Sequence, residues 1–216
     1  MTSRDLLQEG CGKLGITLEE KATEKLDRYL HELVKWNRKM NLVSAAPTRE
    51  LIESHFLDSL TLLPFLETIE NPILLDVGTG AGFPGLVLKC ALEQLILTLV
   101  EPREKRVVFL RHMIRHLALT HVEILAQRLE KNNEGDCQYG LITSRALSTI
   151  HEFLALVADW SPSGGTVICM KGPKAEDEIK EWMACSPTSP FAKKEHISFQ
   201  LPFSKATRNL LIFKKI

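Results

Sequence analysis

A glycine-rich block between a short, mostly apolar run and an amphipathic stretch constrains the fold of this chain more than any other feature. It reads Asp76-Val77-Gly78-Thr79-Gly80-Ala81-Gly82-Phe83-Pro84-Gly85 and follows the run 73–77. Glycine has no Cβ, so such a block turns sharply and lets a ligand approach the backbone. Pro84 suits the first turn of a helix, where a missing N–H costs little. The block therefore predicts a strand, a ligand-binding turn and a helix in succession.

Apolar runs and helical patterns alternate along the rest of the chain. The further strand candidates are short and bounded by polar or turn residues: 95–100, 122–125, 141–143, 166–170, 196–201 and 210–213. Helical spacing lies between several of them, at 84–93, 105–117 and 149–157. This alternation predicts βαβ units and a mostly parallel sheet. The last two strands have no helix between them, so we expect them to form an antiparallel pair.

The first third of the chain reads as helix. Thr17 and Glu20 have the spacing of a capping box, which predicts the start of a helix. Apolar residues then recur at helical spacing as far as Trp36. A second helical pattern covers about 49–65, with a stop expected near Pro64.

Together these patterns predict one α/β domain over residues 1–216. An N-terminal helical cap would cover 1–70, and a Rossmann-like core would cover 71–216. We expect the core to hold a doubly wound, seven-stranded, mostly parallel sheet that ends in the antiparallel pair.

Composition narrows the class of protein. No apolar run reaches the roughly 18–20 residues that span a bilayer, and the N-terminal segment carries charge where a signal peptide is apolar. We therefore expect a cytoplasmic protein that binds no membrane, and a monomer. The cysteines are odd in number and contain no CxxC pair, which argues against a disulfide framework and against a metal site. They are Cys11, Cys90, Cys137, Cys169 and Cys185.

The glycine block fits two classes of adenine-containing cofactor. Its last three glycines spell the GxGxxG of dinucleotide-binding proteins, and Glu101 ends the second strand, where a carboxylate can accept hydrogen bonds from ribose hydroxyls. Asp76 precedes Gly78 and Gly80 in a D-x-G-x-G arrangement, in which the carboxylate can face a cationic amino acid end. This favours S-adenosylmethionine, as does the short chain left for a dehydrogenase's substrate domain. An NAD-binding protein and a glycine turn without a ligand remain as alternatives.

Further motifs lie on both sides of the glycine block and span nearly the whole chain. They are Trp36-Asn37, Asn41-Leu42, His55-Phe56-Leu57-Asp58-Ser59, Lys105-Arg106-Val107, Phe109-Leu110-Arg111, Arg128-x-Glu130, Ser144-Arg145-Ala146 and Lys171-Gly172. With the glycine block, this set resembles the RsmG (GidB) family. The resemblance implies a class I methyltransferase fold and methylation of guanine N7 at position 527 of bacterial 16S ribosomal RNA. The alternative is a methyltransferase for another RNA, a protein or a small molecule.

The resemblance also implies site residues in this chain. The cofactor site would include Gly78, Phe83, Glu101, Leu129, Glu130 and Arg145. The contacts to 16S ribosomal RNA, or to the small ribosomal subunit, would include Lys105, Arg106, Arg128, Lys171 and Arg208. Candidates for a catalytic or positioning role are Arg145, His55 and Asp58, and no metal is implied.

RNA binding would need a local patch, because 27 lysines and arginines balance 27 aspartates and glutamates. Basic residues are dense in 103–115, and Lys171 and Arg145 follow strands whose ends meet at one edge of the sheet. We expect Arg106 and Lys171 to contact phosphate without holding the cofactor. Arg145 would lie close to both ligands.

The expected reaction needs no general base, because guanine N7 carries a free lone pair and no proton. Catalysis can then come mostly from proximity and alignment. His55 and Asp58 are three residues apart on a predicted helix and share a face. They could brace the glycine turn or meet the target base. Alternatively, they could form a pair on the helix surface, or His55 could be a core histidine with its hydrogen bonds satisfied.

Overall fold

A computed structural model describes residues 1–130 and 139–216, and these contain one seven-stranded sheet. Its strands are β1 (Ile73–Val77), β2 (Ile96–Val100), β3 (Val122–Leu125), β4 (Leu141–Arg145), β5 (Thr166–Lys171), β6 (Phe191–Gln200) and β7 (Thr207–Lys215). The spatial order is β3-β2-β1-β4-β5-β7-β6. The strands β1 to β5 pair in parallel, whereas β7 is antiparallel to both β5 and β6. The predicted sheet and its final antiparallel pair are confirmed.

The helices precede the sheet or connect its strands. The first five are α1 (Ser3–Lys13), α2 (Glu20–Met40), α3 (Thr48–Leu51), α4 (Asp58–Leu60) and α5 (Leu63–Glu67), with a π-helical turn at Ile52–Leu57 between α3 and α4. The others are α6 (Gly85–Ala91), α7 (Glu104–His116), α8 (Ile150–Val157) and α9 (Ala175–Cys185), with a 3₁₀ turn at Ala158–Trp160. Within residues 1–130 and 139–216, no helix is long and apolar enough to cross a membrane.

The two faces of the sheet carry separate hydrophobic clusters, because successive side chains of a strand point to opposite faces. Leu74 of β1 packs with residues of α1, α2, α6 and α7, while its neighbour Leu75 packs with residues of α8 and α9. The helical cap thus shares one core with the first face of the sheet. The boundary of the cap at residue 70 remains a prediction.

Two expectations for the cap are wrong. The helix α2 does begin at Glu20, but its N-cap residue is Glu19 and no side chain caps it, so Thr17 and Glu20 form no capping box. Pro64 does not end a helix; it lies in the first turn of α5, where its missing N–H leaves no hydrogen bond unmade. The stretch 49–65 is also irregular, because the π-helical turn interrupts it.

The buried carboxylate of Glu53 connects the antiparallel end of the sheet to the cap. Glu53, in the π-helical turn, is 5% exposed. Its Oε1 accepts hydrogen bonds from the backbone N–H groups of Phe203 at 2.5 Å and of Ser204 at 2.9 Å, in the turn between β6 and β7. The turn therefore depends on a residue about 150 positions earlier in the chain.

We predict that Glu53→Ala lowers the free energy of unfolding by about 1–3 kcal/mol, because two backbone donors lose their acceptor. Glu53→Gln keeps an acceptor oxygen and should lose less. The exposed Glu50 lies on the same segment, and Glu50→Ala should change stability by no more than about 0.5 kcal/mol. Urea denaturation measures all three, and equal losses for Glu53→Ala and Glu50→Ala would contradict the anchor.

Candidate active site

A cleft of about 860 Å³ opens at the carboxyl end of the parallel strands. One wall is the glycine loop, residues 78–85, which follows β1. A second wall contains Arg145 and Lys171, at the ends of β4 and β5. The segment 41–45 and residues of the π-helical turn also line the cleft. Strand order reverses between β1 and β4, and open α/β sheets bind ligands at such a point. The volume is within the roughly 300–1,000 Å³ of small-molecule sites.

The glycine loop adopts backbone angles that favour glycine. Gly78, Gly80 and Gly82 have φ values of 73°, 62° and 97°, in the region that residues with a Cβ rarely adopt. A Cβ on Gly78 would also lie 2.6 Å from a methyl carbon of Leu147. The loop therefore offers its backbone to the cleft, which is what a closely bound ligand needs.

Asp76 holds the glycine loop from below and does not line the cleft. Its side chain is completely buried. Oδ2 accepts hydrogen bonds from the Thr79 hydroxyl at 2.6 Å and the Gly85 N–H at 2.8 Å. Burial raises the pKa of Asp76 to about 6, although both hydrogen bonds oppose the shift. The other oxygen, Oδ1, is buried without a hydrogen-bond partner among the described residues, so the site has an acceptor to offer a cationic group.

Glu101 braces the same loop from β2 and is 2% exposed. Its Oε2 accepts from the Gly80 N–H at 3.0 Å and lies 3.5 Å from Nη1 of Arg106. Its Oε1 accepts from the Arg103 N–H at 2.8 Å. A carboxylate has about four acceptor positions, so Glu101 could still accept from a ribose. Arg106, whose contact with phosphate remains a prediction, pairs with this carboxylate and lines the cleft, because the first turn of α7 follows the end of β2.

Arg145 is the centre of a polar cluster on the other side of the loop. Its Nη1 donates to the Ser54 carbonyl at 2.8 Å and to Asp58 Oδ2 at 3.2 Å. Its Nη2 lies 3.1 Å from Nδ1 of His55, and the guanidinium lies 5.2 Å from the centre of the Phe83 ring. The structure thus brings together the three candidates for a catalytic or positioning role.

Two arginines share the buried carboxylate of Asp58. Arg145 contacts one oxygen, and Nε of Arg208 lies 3.4 Å from the other. Burial raises the pKa of Asp58, and the two guanidinium groups oppose this. Burial lowers the pKa of His55 to about 3, with a further contribution from Arg145. His55 is therefore neutral at physiological pH.

Phe83 is a packed anchor of the loop and is 3% exposed. Its ring stacks between Tyr29 of α2, with centroids 5.5 Å apart, and His55, with centroids 4.9 Å apart. The Tyr29 hydroxyl donates to the Ala81 carbonyl. The helical cap therefore positions the glycine loop directly.

Several expected site residues lie away from the cleft. Leu129 is buried in the core cluster that contains Val77 and Val100, and Glu130 is exposed, with its carbonyl accepting from the Trp160 ring N–H at 2.8 Å. Neither residue lines the cleft. Their cofactor contacts remain predictions.

The expected RNA-binding residues differ in exposure. Lys105 and Arg128 are exposed, whereas Arg208 lies in the cleft wall. Lys171 lines the cleft, but its side chain is 8% exposed and its Nζ lies 2.7 Å from the Glu178 carboxylate. Its contact with RNA phosphate remains a prediction, and in the structure the acidic first turn of α9 supplies the partner of its charge.

The sequence motifs assigned no role to the segment 41–45, which lines the cleft. Asn37 holds it, because its Oδ1 accepts from the Val43 N–H at 2.9 Å. Asn41 ends α2 in a left-handed conformation with φ 49°. The signals in the sequence were the motifs Trp36-Asn37 and Asn41-Leu42, which contain these two asparagines.

Strand order, the glycine loop after β1 and the carboxylate after β2 define a Rossmann-like fold of the methyltransferase class, and solved structures agree. An S-adenosylmethionine-dependent methyltransferase from Aquifex aeolicus superimposes with a TM-score of 0.58 at 19% identity, covering 84% of this chain and 97% of that one. Ribosomal protein L11 methylase from Lactobacillus delbrueckii subsp. bulgaricus gives 0.57 at 12% identity, covering 76% and 79%. These similarities show the fold.

Sequence comparison gives the particular family. The family described as rRNA small subunit methyltransferase G (GidB) matches residues 22–209. Ribosomal RNA small subunit methyltransferase G of Desulfotalea psychrophila is 42% identical over 213 residues, covering 96% of each chain. The Myxococcus xanthus protein of the same name is 37% identical over 214 residues, covering 98% of this chain and 96% of its own. The chain belongs to this methyltransferase family.

We predict that His55 contributes to acid destabilisation. A pKa lowered from 6.5 to about 3 means that the unfolded chain binds a proton that the folded protein does not. The free energy of unfolding should therefore fall as pH drops below about 6.5, by up to about 1.4 kcal/mol per pH unit from this residue. His55→Gln should remove that part of the slope between pH 6 and 4. His121→Asn, a change at an exposed histidine, is the control, and equal slopes in urea denaturation of wild type and His55→Gln would contradict the prediction.

Proposed function

We propose that this protein transfers the methyl group of S-adenosylmethionine to N7 of a guanine in 16S ribosomal RNA, at the position numbered 527 in the family. The observation that carries the proposal is the family match over residues 22–209. The cleft adds support, because it combines a glycine loop suited to a small ligand with arginines suited to RNA.

The proposed cofactor site uses both sides of the glycine loop. Gly78 and Gly80 would leave room for the ligand, and the free oxygen of Asp76 would accept from its cationic amino group. Glu101 would accept from the ribose hydroxyls. The remaining proposed contacts, from Phe83, Leu129, Glu130 and Arg145, follow from the family resemblance alone.

Bound S-adenosylmethionine would supply an electrophilic methyl group on a sulfonium sulfur. Formation of the bond from guanine N7 to that methyl carbon, with cleavage of the carbon–sulfur bond, would require the protein to hold the base and the sulfonium in line. Alignment of this kind contributes up to roughly 7–11 kcal/mol to catalysis. The chemistry requires no thiolate nucleophile. Burial raises the pKa of Cys11, Cys90 and Cys169 to about 12, whereas Cys137 lies outside the described residues.

The proposed RNA surface has an outer and an inner part. Lys105 and Arg128 are exposed and would contact the phosphate backbone outside the cleft. Arg208 and Lys171 line the cleft and would lie close to the target nucleotide. Lys171 would have to exchange its Glu178 partner for a phosphate.

Methylation of ribosomal RNA from a strain that lacks its own enzyme tests the proposal. Purified protein, labelled S-adenosylmethionine and 16S RNA should yield one labelled 7-methylguanine, located by mass spectrometry of nuclease fragments. Naked RNA and small subunits should be offered separately. Label at another base, or label only in another RNA, a protein or a small molecule, would reject the proposed substrate, and calorimetric binding of NAD alone would reject the methyltransferase.

We predict that cofactor affinity depends on pH through Asp76. Its pKa of about 6 in the free protein should fall when a cationic amino group binds, so binding should release a proton below pH 6. Affinity should then weaken by up to roughly tenfold per pH unit below about pH 6. Calorimetry between pH 5 and 7 measures this. Asp76→Asn should bind less tightly with a flatter pH profile, and equal pH profiles for both proteins would place the amino group elsewhere.

We predict different defects for two adjacent cations of α7. Lys105→Ala should weaken RNA binding and lower its logarithmic salt dependence by about one unit, with normal cofactor affinity, because an exposed phosphate contact is lost. Arg106→Ala should weaken cofactor binding by roughly 3- to 10-fold, because Glu101 loses the guanidinium that holds it. Both changes remove one positive charge, so each is the charge control for the other. Indistinguishable defects in the two variants would contradict this division.

A further inference from the structure

The hydrogen bond between Arg145 and His55 fixes where the histidine carries its proton. Nη2 of Arg145 lies 3.1 Å from Nδ1 of His55. A guanidinium has five N–H donors and no acceptor, so Nδ1 must be the acceptor and carries no proton. The neutral ring then has its single N–H at Nε2. The lowered pKa of His55, about 3, agrees with a neutral ring at physiological pH.

The Nε2 atom of His55 is available in the cleft. His55 lines the cleft, and within residues 1–130 and 139–216 its Nε2 makes no hydrogen bond. It is also absent from the buried polar atoms without a partner in those ranges, so it is accessible from the open space. Stacking on Phe83, with centroids 4.9 Å apart and an angle of 22° between the rings, holds the ring plane. A neutral N–H donor of fixed direction therefore lies close to the glycine loop.

The target base presents two adjacent acceptors on one edge. Guanine carries N7 and O6 there, whereas adenine carries N7 beside an amino donor. A neutral N–H donor placed at O6 would accept guanine and disfavour adenine, and it would leave N7 free to attack. The methylated base becomes cationic, so a neutral donor also avoids the repulsion that an arginine or lysine at O6 would cause.

We propose that His55 selects the base to be methylated, by donating a hydrogen bond from Nε2 to O6 of the target guanine. This inference rests on the proposed function. Arg145 is a positioning residue in it, because it fixes the tautomer of His55 without contacting O6 itself.

Nitrogen NMR of the free protein tests the tautomer without any substrate. At pH 7, the wild-type His55 ring should give a protonated Nε2 and an unprotonated Nδ1. Arg145→Met removes the donor and should allow the other tautomer to appear. A wild-type ring protonated at Nδ1 would overturn the inference, whether or not the proposed function holds.

Base analogues test the contact to O6. The RNA should be assembled by ligation with guanine, inosine or 2-aminopurine at the methylated position; inosine keeps N7 and O6, whereas 2-aminopurine keeps N7 and lacks O6. The wild type should methylate guanine and inosine RNA with similar kcat/KM. Its kcat/KM should be lower on 2-aminopurine RNA. The ratio of kcat/KM on guanine RNA to kcat/KM on 2-aminopurine RNA should be smaller for Arg145→Met than for the wild type.

Two variants of His55 provide a matched pair. The amide of His55→Gln reaches the former Nε2 position and can donate to O6, whereas His55→Asn keeps an acceptor for Arg145 and has no donor at that distance. His55→Asn should lower kcat/KM on guanine by roughly 3- to 12-fold and cause no further loss on 2-aminopurine. His55→Gln should retain more of the preference for guanine. Cofactor affinity, expected to be near normal in both, reports on the integrity of the site.

The outcomes separate the inference from the proposed function. If the wild type methylates none of these RNAs, the proposed function fails. If it methylates guanine RNA, but His55→Asn lowers kcat/KM equally on guanine and 2-aminopurine, the function stands and the contact to O6 is overturned. Equal wild-type kcat/KM on guanine RNA and 2-aminopurine RNA would also overturn the contact to O6. This comparison needs only the wild-type protein.

Discussion

The guanidinium of Arg145 joins three parts of the protein that are far apart in sequence. It extends from the end of β4, contacts Ser54, His55 and Asp58 in the helical cap, and covers the ring of Phe83 in the glycine loop. A buried charge is tolerated only when it is paired and hydrogen-bonded, so these contacts are mutually dependent. The cap could not move away from the sheet without exposing or isolating a charge. Together with the Tyr29 contacts to the glycine loop, this side chain holds the cap against the sheet.

Carboxylates in this site are occupied with structure. Asp76 and Glu101 each accept hydrogen bonds from backbone N–H groups of the glycine loop or its flanks, and Asp58 is shared by two arginines. A carboxylate held in this way is a poor general base, because burial and fixed donors restrict its access to a substrate proton. That arrangement suits a reaction at guanine N7, which has no proton to remove. The charged groups of the site therefore hold the glycine loop and the arginine side chains in place.

The features that could be predicted from the sequence are those that depend on residues close together along the chain. The glycine block suits positive φ angles at fixed positions, and the short apolar runs alternate with stretches of helical spacing, so the sheet and its loop were predicted correctly. The prediction that a helix stops near Pro64 was wrong, because proline is compatible both with the end of a helix and with its first turn. Arg106 and Lys171 were expected to contact phosphate, which remains a prediction, but the sequence did not indicate their carboxylate partners. Their pairing with Glu101 and Glu178 depends on how helices pack after strands, and spacing along the chain does not encode those distances.

Methyl transfer from a sulfonium moves a positive charge and creates none. Under the proposed function, the charge leaves sulfur and arrives on the guanine ring, so fixed cations close to N7 would oppose the product. The cleft contains Arg145 and Arg208, and both are drawn toward the Asp58 carboxylate at 3.2 and 3.4 Å. Arg145 lines the cleft beside the neutral ring of His55, to which its Nη2 donates at 3.1 Å. Arg145 can therefore orient the donor at the base while its own charge stays compensated, which reconciles an arginine-rich site with a reaction that leaves a cationic product.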